Sequence, residues 1–185
     1  MTMPMSNKPK ILVDADVLIH LFKAEKVSIL TDIFKGRLFM LDIVVDELRG
    51  NPTIKSNLDA IFLFSNIKEI SFPTTSNEAM FGEFVGLKRQ IVGDGERATM
   101  LYCKYNQDVI ASSNTKDIIP YCKEHSIGYL TTLDILCIAI AKHKITESEA
   151  DECIRKITRD GKSFLCCPSI KLHMSSHFDT TKYQY

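Results

Sequence analysis

The stretch Lys10-Ile-Leu-Val-Asp-Ala-Asp-Val-Leu-Ile-His-Leu-Phe22 decides the fold. Ile11 to Val13 reads as a short buried strand. It ends in a carboxylate, Asp14, and a helix begins at once. Asp16 caps or charges the first turn of that helix, and Val17, Leu18, Leu21 and Phe22 recur at helical spacing. In open α/β sheets ligands collect beyond the carboxyl ends of the strands, so an acid there is a candidate site residue. Taken alone, Asp14 reads as a helix cap. The functional case rests on other acids that recur at equivalent places.

Leu38 to Leu41 reads as a second buried strand with Asp42 at its end. Ile43 to Arg49 then fits a short helix carrying Glu47, closed by Gly50. Ile54, Leu58, Ile61 and Phe62 form an apolar helical set, and Lys68 to Ile70 suits an edge strand. A helix over residues 75–90, opened by Thr75 or Ser76, would bury Met80, Phe81, Phe84 and Leu87. Val92-Gly-Asp-Gly-Glu96 allows a tight turn in which Glu96 opens the next helix, where a carboxylate is favoured by the helix dipole. Asp108 to Ala111 is another buried strand, and Ser112 to Asp117 turns it into a helix with Asn114 and Asp117 on one side. Ile127 to Leu130 is a further strand. Helices over 132–144 and 146–159 follow, the second opened by the capping box Thr146-Glu-Ser-Glu149. Residues 161–185 read as a strand-like segment and a loose tail. Strands alternating with helices, without hairpin signals, call for an α/β protein: one α/β/α sandwich on a short parallel sheet. The expected layout is a flexible N-terminus over 1–9, a domain over 10–160 and a C-terminal extension over 161–185.

The 185 residues suit one domain, and 45% hydrophobic with 25% charged residues is ordinary globular composition. Twenty-three basic residues balance twenty-three acidic ones, so overall charge advertises no polyanion partner. Cys103, Cys122, Cys137 and Cys153 lie in apolar helical patterns and read as reduced core residues. No stretch has signal-peptide or membrane-spanning character, so a cytoplasmic protein without a membrane partner is expected. His173 and His177 have the i, i+4 spacing of a metal pair, but in a Ser-rich tail the spacing reads as incidental. There is no phosphate loop, nucleophile elbow or zinc-binding cysteine set.

Asp14, Glu47, Glu96 and Asp117 thus form a recurring set, with Asp16, Asp94 and Asn114 beside them. Carboxylates brought together repel one another unless protons or a divalent cation intervene. Mg²⁺ or Mn²⁺, with its preference for hard oxygen ligands, meets that need and can activate water near a phosphodiester.

The order of these elements resembles the PIN domain, a family of metal-dependent nucleases that includes toxins of toxin–antitoxin pairs. Ile11 to Ile19 looks like the family's opening strand, with Asp14 as its first acid. Val44-Val-Asp-Glu-Leu48 is similar to the second motif and supplies Glu47. Gly93-Asp-Gly-Glu-Arg-Ala98 is similar to the third and supplies Glu96. Val109 to Asp117 looks like the fourth region, where the family usually has Asp directly after a Ser or Thr and this chain has Asn114; Asp117 follows one turn later. The resemblance implies endoribonuclease activity on single-stranded RNA with Mg²⁺ or Mn²⁺. Asp14, Glu47, Glu96 and Asp117 would act in catalysis, and Asp14, Glu96, Asp117 and Asn114 would be the metal-ligand candidates. It also implies an antitoxin or homodimer partner. Lys88, Arg89, Arg97 and Lys116 are candidate phosphate contacts.

Two other readings compete. Val13-Asp-Ala-Asp-Val17 also fits the opening motif of haloacid dehalogenase-type phosphatases, in which Asp14 would be the nucleophile and Asp16 the acid–base. Asn114 also fits a PIN-like module that binds without cutting.

Overall fold

The computed structural model describes residues 8–52, 54–73, 77–87 and 93–185. Among them, β1 (Ile11–Val13), β2 (Leu38–Leu41), β3 (Lys68–Ile70), β4 (Val109–Ala111) and β5 (Tyr129–Leu130) form one parallel sheet in the order β3-β2-β1-β4-β5. Ile11 pairs with Leu38 on one side and with Val109 on the other. β1 is buried on both faces, as its unbroken apolar run requires.

From β1 the chain steps outward to β2 and β3, then returns to lay β4 and β5 on the opposite side. β1 and β4 are therefore neighbours whose connections leave in opposite directions. That switch opens a crevice at their carboxyl ends.

The helices are α1 (Ala15–Lys23), α2 (Ser28–Phe34), α3 (Asp42–Gly50), α4 (Leu58–Ser65), α5 (Glu78–Leu87), α6 (Asp94–Asn106), α7 (Thr115–His125), α8 (Thr132–Ala141), α9 (Glu147–Thr158) and α10 (Ile170–Ser176). α1 and α2 pack with α8 and α9, while α6 packs with α5 and α7 and lies against β2 and β4. The arrangement is an α/β/α sandwich. The capping box of Thr146 and Glu149 forms at the start of α9. Cys103, Cys122, Cys137 and Cys153 are buried free thiols. No helix among the described residues is long and apolar enough to cross a membrane.

Several expectations change. The proposed caps Thr75 and Ser76 lie outside the described residues, and Asn77 Oδ1 accepts from Met80 N at 3.1 Å in their stead. Phe81 is exposed rather than buried, because α5 packs chiefly through Met80. Residues 1–7 of the expected flexible N-terminus also fall outside, but Pro9 is tied down: its carbonyl accepts from Arg37 Nε and Nη2.

The C-terminal segment is not loose. It forms α10 and a closing 3₁₀ turn, Thr180–Gln184, both docked on α8. Their anchor is the buried Asp134, which the pattern reading assigned only to an apolar helix. Its carboxylate accepts from Thr131 N at 2.8 Å, from His173 Nε2 at 2.9 Å and from Lys182 Nζ at 2.7 Å. Burial pushes Asp134 up, but the His173 and Lys182 partners outweigh it and hold the carboxyl below its ordinary range. Lys182 also lies over the Tyr129 ring, 3.9 Å from its centre. Removing one partner from such a group strands the others. Asp134→Ala is accordingly expected to cost about 3–5 kcal/mol in urea denaturation; a loss below about 1 kcal/mol would show that the network does not anchor this segment.

Candidate functional site

Asp14 extends β1 by one residue. Its N–H donates to Ala111 O at 2.9 Å, so the β1–β4 ladder delivers the side chain to the switch point. Asp14 is also the N-cap of α1, with Oδ1 accepting from Ala15 N at 2.8 Å. Capping and membership of the acid cluster therefore coexist in one residue. Asp16, expected to cap that turn, instead reaches across to the end of β4. Its Oδ2 accepts from Ser113 N at 2.8 Å and Ser112 Oγ at 3.3 Å.

Glu47 comes from the last turns of α3 and Glu96 from the first turn of α6. The two helices meet closely: Gly95 N donates to Glu47 Oε1 at 2.8 Å, and a Cβ on residue 95 would stand 2.7 Å from Glu47 Oε2. Glycine is required there for the approach, as the Gly-Asp-Gly spacing suggested. Asn114 is the N-cap of α7, and its Nδ2 donates to Asp117 Oδ2 at 3.0 Å.

Electrostatics connects these segments. Burial, then the charges of Asp16 and Glu96, raise Asp14 well above its ordinary value. Burial lifts Asp16 to about 6 against the pull of the Ser113, Val17 and Ser112 donors. Glu96 is pushed up to about 7 by burial, then by Asp117 and Asp16, with Glu47 adding to the rise and the Asn114 amide opposing it. Acids from α1, α3, α6 and α7 thus share one field. Within it, Asp16 Oδ1 and Glu96 Oε1 are buried with no hydrogen-bond partner among the described residues.

Unpartnered carboxylate oxygens in a converging acidic set fit a hard divalent cation such as Mg²⁺ or Mn²⁺. Asp14, Asp16, Glu96 and Asp117 are the candidate ligands, although as the side chains stand no three of them bring carboxylate oxygens within 4.8 Å of one another. The Asn114 amide donates to Asp117 and also acts on Glu96, so it helps to orient both acids.

Of these acids Asp16 reaches a cleft of about 620 Å³, which is also lined by Asn114, Lys116, Lys23, Lys162 and Phe164, among others. Lys116 is exposed at this rim. Arg97 is not: it is 1% exposed, pairs with Asp94 and lies over the Phe84 ring at 4.8 Å. Asp94 is correspondingly engaged by Arg97. Lys88 and Arg89 lie outside the described residues. Asp42, the acid ending β2, serves the backbone alone, with Oδ1 accepting from Ile43 N and Phe72 N.

The pattern reading did not single out Lys23, Lys162 and Phe164. Lys162 and Phe164 belong to a non-periodic segment whose position depends on the docking of the chain's end, so local sequence carries no signal for them. No protein-family model, no curated protein and no solved structure matches the chain.

Asp16 and Glu96 titrate at about 6 and about 7 in the folded chain, against ordinary values of 3.8 and 4.5. Across that interval the folded protein holds protons that the unfolded chain has released. Their contribution to stability therefore falls as pH rises from about 4 to about 7. Glu96→Gln is expected to raise the cation-free melting temperature at pH 7.5 (about 2–4 °C per kcal/mol of relieved repulsion for this size of chain) and to reduce the further rise given by Mn²⁺. A lower melting temperature for the variant, with the Mn²⁺ response intact, would contradict the repulsion account. Gly95→Ala is expected to leave stability nearly unchanged, because the displaced atoms are the flexible end of Glu47. It should nonetheless weaken Mn²⁺ binding measured by calorimetry.

Proposed function

We propose that the chain is a PIN-like endoribonuclease that uses Mg²⁺ or Mn²⁺ to cut single-stranded RNA. The observation that supports the reading is the electrostatic influence that Asp14, Asp16, Glu96 and Asp117 exert on one another at the ends of β1 and β4, with two buried acid oxygens left unpartnered. When bound, the cation supplies charge neutralisation and a water of lowered pKa. The chain's own residues do the positioning. Ala15 N orients Asp14, Ser112 and Ser113 orient Asp16, Asn114 orients Asp117, and Gly95 N orients Glu47.

The open cleft beside the cluster suits a single strand. Lys116 and Lys162 are placed to meet phosphates, and Phe164, 85% exposed, offers a ring face on which a base can stack. The phosphatase reading asks Asp16 to act as a mobile acid. Its Oδ2 is instead held by two donors from the end of β4, which favours a fixed ligand role.

Asp14→Asn and Glu96→Gln, purified in parallel with the wild type, should each reduce Mn²⁺-dependent cleavage of an end-labelled single-stranded RNA by about 10²-fold or more, with far-ultraviolet circular dichroism unchanged. Cleavage retained by both variants would remove the acids from the reaction. Hydroxylamine trapping of a phosphorylated Asp14 would establish the phosphatase instead. Absence of Mn²⁺ uptake by the wild type would leave a binding module.

A further inference from the structure

The C-terminal segment holds a second cluster of different chemistry, which the acid site does not use. Cys166 and Cys167 are adjacent, and Ser169 caps α10 two residues later. α10 carries His173, and His177 caps its end, so the i, i+4 spacing is helical after all. The two imidazole rings lie parallel, with centres 5.9 Å apart. His173 Nδ1 stands 4.0 Å from Cys166 Sγ, and His177 Nδ1 stands 3.5 Å from Cys167 Sγ. Both sulfurs and a ring nitrogen of His173 lie within 4.8 Å of one another.

The 3.5 Å between Cys167 and His177 is a tetrahedral ligand spacing, the 4.0 Å between Cys166 and His173 is somewhat longer, and His177, which lies outside the three-residue group, would complete the set by small side-chain rotations. Sulfur at about 2.3 Å and nitrogen at about 2.0–2.1 Å from Zn²⁺ lie about 3.5 Å from each other when the angle between them is tetrahedral. The surroundings give independent support. His173 Nε2 faces Asp134 Oδ1 at 2.9 Å, and a carboxylate only accepts, so the ring proton sits on Nε2. Nδ1 is then the nitrogen that faces Cys166. A metal-bound histidine is oriented in this way, its second N–H donated to a carboxylate. That carboxylate is itself fixed by Thr131 N and Lys182 Nζ. Cys166 and His177 are exposed, which gives an ion its entry path, and Cys167 and His173 are buried.

We propose that Cys166, Cys167, His173 and His177 bind one Zn²⁺ as a closed tetrahedral site that pins the C-terminal segment onto α8. Two thiolates and two imidazoles select Zn²⁺ over the hard cations of the acid site. The proposal does not rest on the nuclease reading.

Untagged full-length chain, produced in zinc-supplemented medium, should contain one zinc per chain by plasma mass spectrometry. After zinc removal, Co²⁺ titration should give sulfur-to-metal charge-transfer absorption and tetrahedral d–d bands. Cys166→Ser combined with Cys167→Ser should abolish both. His177→Ala, at an exposed position, should lose zinc and weaken the bands if the double variant fails to fold. Asp14→Asn should keep its zinc, which separates this site from the acid cluster. Zinc-free wild type with no Co²⁺ bands, undiminished bands in His177→Ala, or a Cys166–Cys167 disulfide detected by mass in freshly isolated protein would each overturn the proposal.

Discussion

Like-charge repulsion at the carboxyl ends of β1 and β4 is the constraint to which the surrounding chain answers. The parallel ladder fixes Asp14 there, and the switch in strand order brings the Ser112–Asp117 turn alongside. Five carboxylates in one partly buried region would destabilise the fold if left bare. Donors are accordingly set around them: the N–H groups of Ala15, Ser113 and Gly95, the Ser112 hydroxyl and the Asn114 amide. What these donors leave over, one oxygen each on Asp16 and Glu96, is the residual demand that a cation or a proton must meet. The site therefore carries a stability cost that binding can offset, as functional sites often do.

Asn114 gains a physical account in this light. An aspartate at this position would add another negative charge beside Glu96 and could not donate to Asp117. The amide does the reverse: it holds Asp117 and opposes the rise in the pKa of Glu96. Asn114 thus keeps a polar residue at the strand end, with Asp117 one helical turn along.

Much of the fold was legible because short parallel strands buried on both faces leave an unmistakable apolar run. Ile11 to Val13 and Leu38 to Leu41 are read to the residue. The acids were legible because each follows a strand or opens or closes a helix, where position in the sequence fixes position at the sheet's end. Roles that depend on side-chain direction were not. Arg97 follows Glu96 directly, yet the helix turns it inward onto Phe84 and Asp94. Least legible was the C-terminal segment, whose order comes from long-range partners. Asp134 sits in an apolar helix and gives no hint that His173 and Lys182 will reach it from 39 and 48 residues away.

The first turn of α8 is where these threads join. Thr132 N donates to Ser113 Oγ at 3.0 Å, and the two hydroxyls lie 2.7 Å apart, with His20 Nδ1 3.0 Å from the same Thr132 oxygen. Burial and then Lys23 lower His20 to about 4, so this chain of contacts stays uncharged at neutral pH. Ser113 is the residue whose N–H holds Asp16. Two positions after Thr132, Asp134 holds His173 beside the two sulfurs. One rigid helix start therefore sets the geometry of an oxygen-rich cluster through Ser113 and of a sulfur–nitrogen cluster through Asp134. Hard and soft donors are kept apart by chemistry and are held by the same turn, one set through Ser113 and the other through Asp134.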